Sequence, residues 1–437
     1  MRVLLVSTYD MGRQPFGLAS PAAWLRRAGV TVETLDCALE PFAMRRVAEA
    51  DVVAFHLPMH MATRMAVPRI QSARRWNPAA RVVCYGLYAP VNAAMLRGLG
   101  VSEIIGGEFE QALVDAVLGV GTHSDAVMDR LAFVTPDRSS LPVLNGYAQL
   151  RDGAATKLVG YTEASRGCKH LCRHCPIVPV YNGKFRVVAR DVVLADVRQQ
   201  VAAGARHISF GDPDFLNGPG HALPLLKAFH AEFPGVTYDV TVKVEHLLKH
   251  AEALPVFART GCAFVISAVE SIDDAVLLRL DKGHTKADFS RVVELVRSHG
   301  LTLTPTFVTF TPWTTRAGYL DLLRTLRDLD LVANVASIQL AIRLLIPAGS
   351  RLLELAEVRE IAPVFDEAAL VYRWQHPDPE MDRLCADLQR VIKNADKRGL
   401  GRTRTFELIW ERAVGAPVDF HLPDRSTVPY LTEPWYC

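Results

Sequence analysis

Short apolar runs alternate with amphipathic segments along residues 1–121. The apolar runs predict strands, and the one-sided segments between them predict helices that pack on a sheet. The predicted strands are 3–7, 31–35, 52–55, 81–85 and 104–105, and the predicted helices are 21–28, 42–50, 69–75 and 91–99. This alternation indicates a doubly wound parallel sheet, whose ligands would bind beyond the carboxyl ends of its strands.

A second, longer alternation begins near residue 158. It predicts strands at 159–164, 207–210, 238–243, 263–269, 301–309 and 337–344, with helices such as 192–203, 223–232 and 289–299 between them. Pro136 and Pro142 lie among hydroxyl side chains and indicate a loop-rich linker. The last ninety or so residues look mainly helical and carry no catalytic motif of their own. We therefore expect four parts: a domain at 1–123, a linker at 124–157, a second domain at 158–346, and a helical region with a tail at 347–437.

Composition and charge exclude several classes of partner. The chain has 437 residues, of which 50% are hydrophobic, and a formal net charge of +2. A near-neutral balance of mixed signs predicts no nucleic-acid partner, and no apolar run reaches the roughly 18 residues of a membrane span. The N-terminus lacks the pattern of a signal peptide, and Cys37, Cys84, Cys262 and Cys385 are scattered. These features predict a reduced, cytoplasmic protein with no membrane partner.

The candidate chemistry begins with Cys168, Cys172 and Cys175, which are spaced C-x3-C-x2-C directly after a predicted strand. Three thiolates on one tight loop can point at a single soft metal centre. A four-iron cluster normally has four cysteine ligands, so three would leave one iron open for a substrate or cofactor. The alternative is a zinc knuckle, which usually needs a second C-x2-C pair that this sequence lacks.

With this motif the chain resembles the radical S-adenosylmethionine (radical SAM) superfamily. The resemblance implies a [4Fe-4S] cluster held by Cys168, Cys172 and Cys175, with S-adenosylmethionine (SAM) bound to the open iron. It also implies that the second domain is a partial (β/α)6 barrel with its active site at the C-terminal mouth of the strands. We accordingly expect a small-molecule substrate and a reductant such as flavodoxin or ferredoxin. His174 departs from the motif, because the residue before the last cysteine is usually a carbocyclic aromatic.

The N-terminal domain carries a second resemblance. Its strand–helix layout, the segment 14–19 (QPFGLA) and Gly106-Gly107-Glu108 resemble the Rossmann-like domain of cobalamin-dependent radical SAM enzymes. The Asp-x-His-x-x-Gly ligand motif is absent, as in several of those proteins. The loop 8–14 has bulky polar side chains where a corrin would need space, so the alternative is a cap without a cofactor. Cobalamin is left open at this point.

Polar residues just past the strands are the candidates for SAM binding. After the second barrel strand, the resemblance implies that Asp212 or Asp214 meets the SAM amino group, with a plain Pro-Asp turn as the alternative. After the third strand, strand alternation places Lys243 on one face, where it would pair with the SAM carboxylate or with a local acid. Lys243 is also a candidate for a catalytic role.

The remaining candidates follow the later strands. Glu270 and Ser271 match the position that binds ribose in the superfamily, and Arg279 is expected to reach the SAM carboxylate unless it belongs to a solvated helix end. Arg343 interrupts an apolar run, and a buried cation needs an anion. That anion would be a substrate or cofactor carboxylate, or a structural salt-bridge partner.

The tail ends in two aromatic residues and Cys437. The general plan resembles arsinothricin-type enzymes, which transfer a 3-amino-3-carboxypropyl group to trivalent arsenic, although their multi-cysteine tail is absent. We hypothesise that Cys437 folds back to the barrel mouth as a ligand or catalytic thiol, with a disordered terminus as the alternative. The leading prediction is a radical SAM enzyme that cleaves a C–S bond of SAM. The alternatives are a cobalamin-dependent radical methyltransferase, aminocarboxypropyl transfer to a soft nucleophile, and an iron–sulfur redox module that is no enzyme.

Overall fold

The computed structural model describes residues 1–121, 123–422 and 428–433. Its strands are β1 (Arg2–Ser7), β2 (Thr31–Asp36), β3 (Val52–His56), β4 (Arg81–Tyr85), β5 (Glu103–Gly107), β6 (Ala126–Val127), β7 (Gln149–Asp152), β8 (Ala155–Thr162), β9 (Ser165–Gly167), β10 (Phe185–Val187), β11 (His207–Phe210), β12 (Thr237–Thr241), β13 (Cys262–Glu270), β14 (Leu303–Phe307), β15 (Phe365–Asp366), β16 (Val371–Tyr372) and β17 (Tyr430–Leu431).

Helices cover both sheets. They are α1 (Phe16–Arg27), α2 (Met44–Ala48), α3 (His60–Trp76), α4 (Tyr88–Val91), α5 (Ala93–Gly98), α6 (Phe109–Leu118), α7 (Val178–Tyr181), α8 (Arg190–Ala202), α9 (Pro219–Glu232), α10 (Val244–Lys249), α11 (Leu254–Arg259), α12 (Asp274–Leu280), α13 (Lys286–Ser298), α14 (Arg316–Asp328), α15 (Ala356–Ile361), α16 (Pro379–Lys397) and α17 (Arg402–Val414). No helix among the described residues is long and apolar enough to cross a membrane.

The N-terminal sheet has the strand order β2-β1-β3-β4-β5-β6, with parallel pairing throughout. Every residue of β3 is buried, because helices cover both faces of the sheet. Leu18 of α1 and Leu113 of α6 pack on one face, and Ile70 of α3 packs on the other. The predicted Rossmann-like doubly wound arrangement is confirmed, and its switch point lies between β1 and β3.

The second sheet has the order β14-β13-β12-β11-β8-β7-β17. Strands β8, β11, β12, β13 and β14 pair in parallel and form a curled half barrel, whereas β7 and β17 extend its edge in antiparallel fashion. Along β13, Val265 and Val269 belong to the core under the helices, while Ile266 and Ala268 alternate with them and are half-buried. The concave side of the sheet is therefore partly open.

The predicted sixth strand at 337–344 is wrong. Ser337–Leu340 forms a 3₁₀ turn, and a single parallel bridge joins Phe310 to Arg343. The side-chain oxygen of Gln339 accepts the N–H of Phe307 at 3.0 Å, so a side chain takes the place of a ladder hydrogen bond. The half barrel thus has five continuous parallel strands from β8 to β14 and ends in one bridge.

The region after the half barrel is mainly helical, as predicted. Leu388 of α16 and Ile409 of α17 join the core of the half barrel. The predicted domain boundaries after residues 123, 157 and 346 stay predictions.

Two buried arginines join the sheets. Arg138, in the segment between them, donates to Asp196 at 2.7 Å and to the Gln14 side chain at 2.7 Å. Arg166, in β9, donates two hydrogen bonds to Glu110 of α6, at 2.8 and 2.6 Å. Each arginine thus links the N-terminal domain to the half barrel, and the two arginines together hold the two sheets against each other.

Candidate functional site

The chain enters the cysteine loop through Gly167. This residue has φ of 73°, and a Cβ there would overlap the Lys184 carbonyl and the Tyr181 ring. Only glycine accepts both the conformation and the close approach. Farther along, the N–H of Arg173 donates to the Leu280 carbonyl at 2.9 Å. The loop is thus held between the β9–β10 hairpin and α12.

The three thiols of the loop lie in a protected environment. Cys168 and Cys172 are buried, and Cys175 is half-buried. Burial raises the pKa of the Cys168 thiol and raises the pKa of the Cys175 thiol to about 12, and the neighbouring loop thiols act in the same direction. Since metals bind the thiolate, iron would displace these protons. Three buried or half-buried thiols on one tight loop suit a [4Fe-4S] cluster, and their role as its ligands stays a prediction.

Asp212 accepts hydrogen bonds from the segment that leads into this loop. Its carboxylate accepts the N–H of Ala164 at 2.9 Å and the hydroxyl of Ser165 at 2.5 Å. Burial raises its pKa to about 7. Both oxygens are used by the segment that leads into β9, which favours a positioning role for Asp212, and its place at the SAM amino group stays a prediction.

Asp214 is fully buried and faces two histidines. Its Oδ2 lies 2.6 Å from Nδ1 of His246 and 3.6 Å from Nε2 of His170. Burial raises the pKa of Asp214, but the two imidazoles outweigh it and lower the pKa to about 2. The carboxylate is therefore ionised and directed at the two histidines.

Glu270 lies at the mouth, at the end of β13. It has φ of 68°, and the register with β14 shifts beside it. Such a conformation is costly for a side chain other than glycine and is often found at functional sites. The carboxylate lies 3.1 Å from Nε2 of His174 and 3.4 Å from Nζ of Lys282. Burial raises its pKa, but Lys282 and His174 outweigh it and lower the pKa to about 2.

Lys243 is the second charged residue of the mouth. Its side chain is 8% exposed, and Nζ lies 3.5 Å from Glu245. His284 is buried close by, and neither ring nitrogen has a hydrogen-bond partner among the described residues. Burial, Lys282 and Lys243 together lower the pKa of His284 to about 4. The mouth therefore combines two ammonium groups, a carboxylate and a neutral imidazole.

Ser271 and Arg279 have local partners. The hydroxyl of Ser271 accepts the N–H of Asp273 at 3.1 Å, just before α12. Arg279 is 38% exposed, lies 3.5 Å from Glu357 and sits over the Trp313 ring at 5.4 Å. The structure thus favours the helix-end alternative for Arg279. Ser271 is next to Glu270 and remains a candidate.

Arg343 also belongs to the structural alternative. It donates to Asp382 at 2.5 Å and to the Trp374 carbonyl at 2.7 Å. Its guanidinium lies over the Trp374 ring, 3.5 Å from the centroid. These contacts tie the end of the barrel to α16 and favour the salt-bridge alternative, while a cofactor carboxylate at Arg343 stays a prediction.

Cys437 lies outside the described residues, so the hypothesis about it stays a prediction. The described end of the chain is β17, which pairs with β7 and leads to Glu433. Arg13, from the loop after β1, donates to Glu433 at 2.7 Å and sits over the Tyr161 ring at 5.0 Å. The chain near its C-terminus therefore reaches the joint between the sheets.

The switch-point edge of the N-terminal sheet is covered by contacts within its own domain and with the C-terminal region. Thr8 donates to the Ala62 carbonyl at 2.7 Å, and His60 contacts the Ala369 carbonyl at 2.7 Å. A crevice of about 200 Å³ separates this domain from the cysteine loop, and its lining includes Val91, His174, Cys175, Pro179 and Pro347. Pockets that hold drug-sized ligands measure roughly 300–1,000 Å³, so this crevice is smaller than such a pocket.

Five residues of the site were missed from sequence. Lys282 and His284 lie in the segment 279–284, which begins with the candidate Arg279. Only the fold shows which of these side chains point into the mouth. His170 and His246 had no common spacing signal, because they come from different strand ends. Arg166 directly precedes the cysteine motif, but its partners are distant in sequence.

Residues 162–326 match the Radical SAM superfamily. The chain is 23% identical over 52% of its length to the threonylcarbamoyladenosine tRNA methylthiotransferase MtaB of Thermotoga maritima, of which the match covers 51%. It is 28% identical over 39% of its length to the ribosomal protein uS12 methylthiotransferase RimO of Porphyromonas gingivalis, of which the match covers 41%. The chain thus spans about half or less of the length of these relatives.

Two solved structures share the fold over most of the chain. The cobalamin-dependent SAM radical enzyme OxsB, with aqua-cobalamin and SAM bound, aligns with 90% of this chain and 67% of its own, at a TM-score of 0.71 and 14% identity. The radical SAM methyltransferase TsrM of Kitasatospora setae aligns with 82% of this chain and 76% of its own, at a TM-score of 0.64 and 18% identity. At these identities the likeness concerns the fold: a Rossmann-like domain, a half barrel and helices.

Proposed function

Because residues 162–326 form a radical SAM domain, we propose that this protein is an enzyme that cleaves SAM reductively and modifies a small-molecule substrate. The observation that carries the proposal is the position of the cysteine loop beside the charged mouth of the half barrel. Cys168, Cys172 and Cys175 would hold the [4Fe-4S] cluster. When bound, the cluster supplies the electron that breaks a C–S bond of SAM.

The mouth offers complementary groups to a zwitterionic cofactor. Lys243 is buried, and among the described residues it pairs with one acid, Glu245 at 3.5 Å, so its ammonium can also pair with the SAM carboxylate. Glu270 is ionised and can accept from the SAM ammonium or the ribose hydroxyls, with Ser271 beside it. His174 and Lys282 orient the Glu270 carboxylate.

The N-terminal domain covers the cysteine loop. Tyr88 of α4 is buried next to Cys175, and that thiol contributes to raising the tyrosine pKa. Arg166 holds the two sides together one residue before the loop begins. This cover restricts water around the reacting atoms, which reactive intermediates require.

The first test is anaerobic reconstitution with iron and sulfide, followed by SAM, dithionite and mass spectrometry of the products. We expect about four irons per chain and SAM cleavage in the wild type. Cys168→Ala, Cys172→Ala and Cys175→Ala should each lose both. Cys37→Ser is the matched control, because Cys37 lies outside the motif and should change neither. A wild type that holds iron but never cleaves SAM would instead identify an iron–sulfur redox module.

The cleavage product separates two reaction classes. 5′-Deoxyadenosine would indicate hydrogen abstraction from a C–H substrate. 5′-Methylthioadenosine would indicate aminocarboxypropyl transfer to a soft nucleophile, and Cys437→Ser would then test the tail. Full turnover by that variant would remove Cys437 from the mechanism.

A cobalamin-dependent methyltransferase is the second candidate. The N-terminal strand order and the fold shared with OxsB and TsrM favour it, whereas the narrow crevice beside His174 opposes it. The test is to incubate the reconstituted enzyme with cobalamin and to separate bound from free cobalamin by gel filtration. Corrin absorption that elutes with the protein would show that cobalamin binds. Without co-elution, the N-terminal domain is a cap.

We also propose a cytoplasmic setting with electrons from a flavodoxin or ferredoxin. The seven described cysteines are free thiols, which suits a reducing compartment. Turnover with each purified reductant in place of dithionite would test the electron donor.

A further inference from the structure

We propose that His170, Asp214 and His246 form a second metal site, for a divalent transition metal such as Zn²⁺. The three residues come from the cysteine loop, the loop after β11 and the start of α10. A metal there would fasten the cysteine loop to the ends of two barrel strands. The site is distinct from the three cysteines and goes beyond the proposed function.

The distances suit a single ion. One ligand atom from each residue lies within 4.8 Å of the others. Zinc bonds of roughly 2.0–2.1 Å in a tetrahedral arrangement place ligand atoms about 3.4 Å apart. Nε2 of His170 lies 3.3 Å from Nε2 of His246 and 3.6 Å from Oδ2 of Asp214. Two imidazoles and one carboxylate are ligands that zinc and similar ions accept.

The burial of the three side chains favours a metal site over a solvated ion pair. The side chains of Asp214, His246 and His170 are 0%, 8% and 17% exposed. Oδ2 of Asp214 and Nδ1 of His246 are both buried and 2.6 Å apart, yet neither has a hydrogen bond of acceptable geometry to any described residue. Buried polar atoms normally have partners, and a metal ion held by Oδ2 of Asp214 and by Nε2 of both His170 and His246 would provide one for the carboxylate.

An outer partner completes the pattern. Nδ1 of His170, the nitrogen turned away from the triad, lies 3.6 Å from Glu245. Histidines that bind metals commonly direct the other ring nitrogen to a carboxylate, which orients the ring. The three residues leave a coordination position for water. The alternative is a relay of hydrogen bonds from His170 through His246 to Asp214, without a metal.

The test uses the full chain with Cys168, Cys172 and Cys175 all replaced by serine, so that the cysteines cannot compete. This parent is stripped with a chelator and titrated with Zn²⁺ alone against a chromophoric chelator. We expect one tight site per chain. Removal of an outer partner of a metal ligand weakens metal binding roughly 10–100-fold, and Glu245→Gln should lower the Zn²⁺ affinity within that range. His246→Ala and Asp214→Asn each remove a ligand, so each should lower the affinity by more.

His250→Ala is the matched control, since its ring lies 5.6 Å from His246 but outside the triad, and it should bind Zn²⁺ like the parent. If a triad variant misfolds by circular dichroism, His170→Gln in the half-exposed loop replaces it. Absence of a saturable site, or equal affinity in parent and triad variants, would overturn the metal site and favour the relay. Because the parent has no cluster, the result is independent of SAM cleavage.

Discussion

Replacing Arg166 by methionine should destabilise the joint between the sheets. Arg166 donates to Glu110 at 2.8 and 2.6 Å and to Glu163 at 2.7 Å, and it is nearly fully buried. Removing one partner of a buried ion pair costs about 3–5 kcal/mol, because the remaining charge stays desolvated. Whole domains are stable by only about 5–15 kcal/mol. The variant should therefore unfold at a clearly lower urea concentration.

The loss should also depend on pH. Burial raises the pKa of Glu163, and raises the pKa of Glu108 to about 7, even though Arg166 opposes both shifts. Without Arg166 these folded-state pKa values rise further. The folded chain then binds protons more tightly than the unfolded chain, so stability falls as the pH rises from about 4.5 through the new values. The penalty should be larger at pH 8 than at pH 5.

Urea unfolding followed by tryptophan fluorescence and far-UV circular dichroism measures both effects. Arg45→Met is the matched control, because its side chain is 91% exposed and 3.5 Å from Glu49. Exposed pairs of this kind contribute about 0.3–0.5 kcal/mol. Equal losses in the two variants, or a larger Arg166→Met penalty at pH 5 than at pH 8, would refute the reasoning.

Three further predictions concern the mouth and the N-terminal domain. Lys282→Met should leave iron loading intact but lower SAM cleavage at least about tenfold, because Glu270 loses the cation that orients it. Burial raises the pKa of Asp10 to about 7, so the contribution of this carboxyl to stability should fall as the pH rises from about 4 to 7, and Asp10→Asn should remove that contribution in urea titrations. Gly17→Ala should cost about 1–3 kcal/mol by the same assay, because its Cβ would overlap the buried His56 ring.

Each of these predictions has a control on the same chain. Arg279→Met should cleave SAM normally, since that side chain lies beside Glu357 of α15 and over the Trp313 ring. Asp191→Asn should keep the wild-type pH profile, because its side chain is 87% exposed. Gly220→Ala meets no atom within 4 Å and should be neutral or slightly stabilising. A control that changes as much as its partner variant would contradict the local explanation.

Much of the fold could be predicted because its signals are local. Strands such as β4 and β11 were predicted at their observed bounds, since buried parallel strands are continuous apolar runs between polar turns. The stretch 337–344 looks the same in sequence but forms a turn, because Gln339 takes over a backbone bond of β14. A side chain that replaces a ladder bond leaves no trace in the periodicity.

By itself, the sequence determined the α/β class, the order of the two sheets and the loop of three cysteines, because these depend on short-range periodicity and spacing. Only the tertiary structure decided which partner each charged residue near the strand ends has. In the folded chain Lys282 contacts Glu270, and Arg343 donates to Asp382. Asp212 accepts a hydrogen bond from Ser165, at the start of β9. A buried charge is defined by its partner, and these partners lie 12 to 47 residues away along the chain.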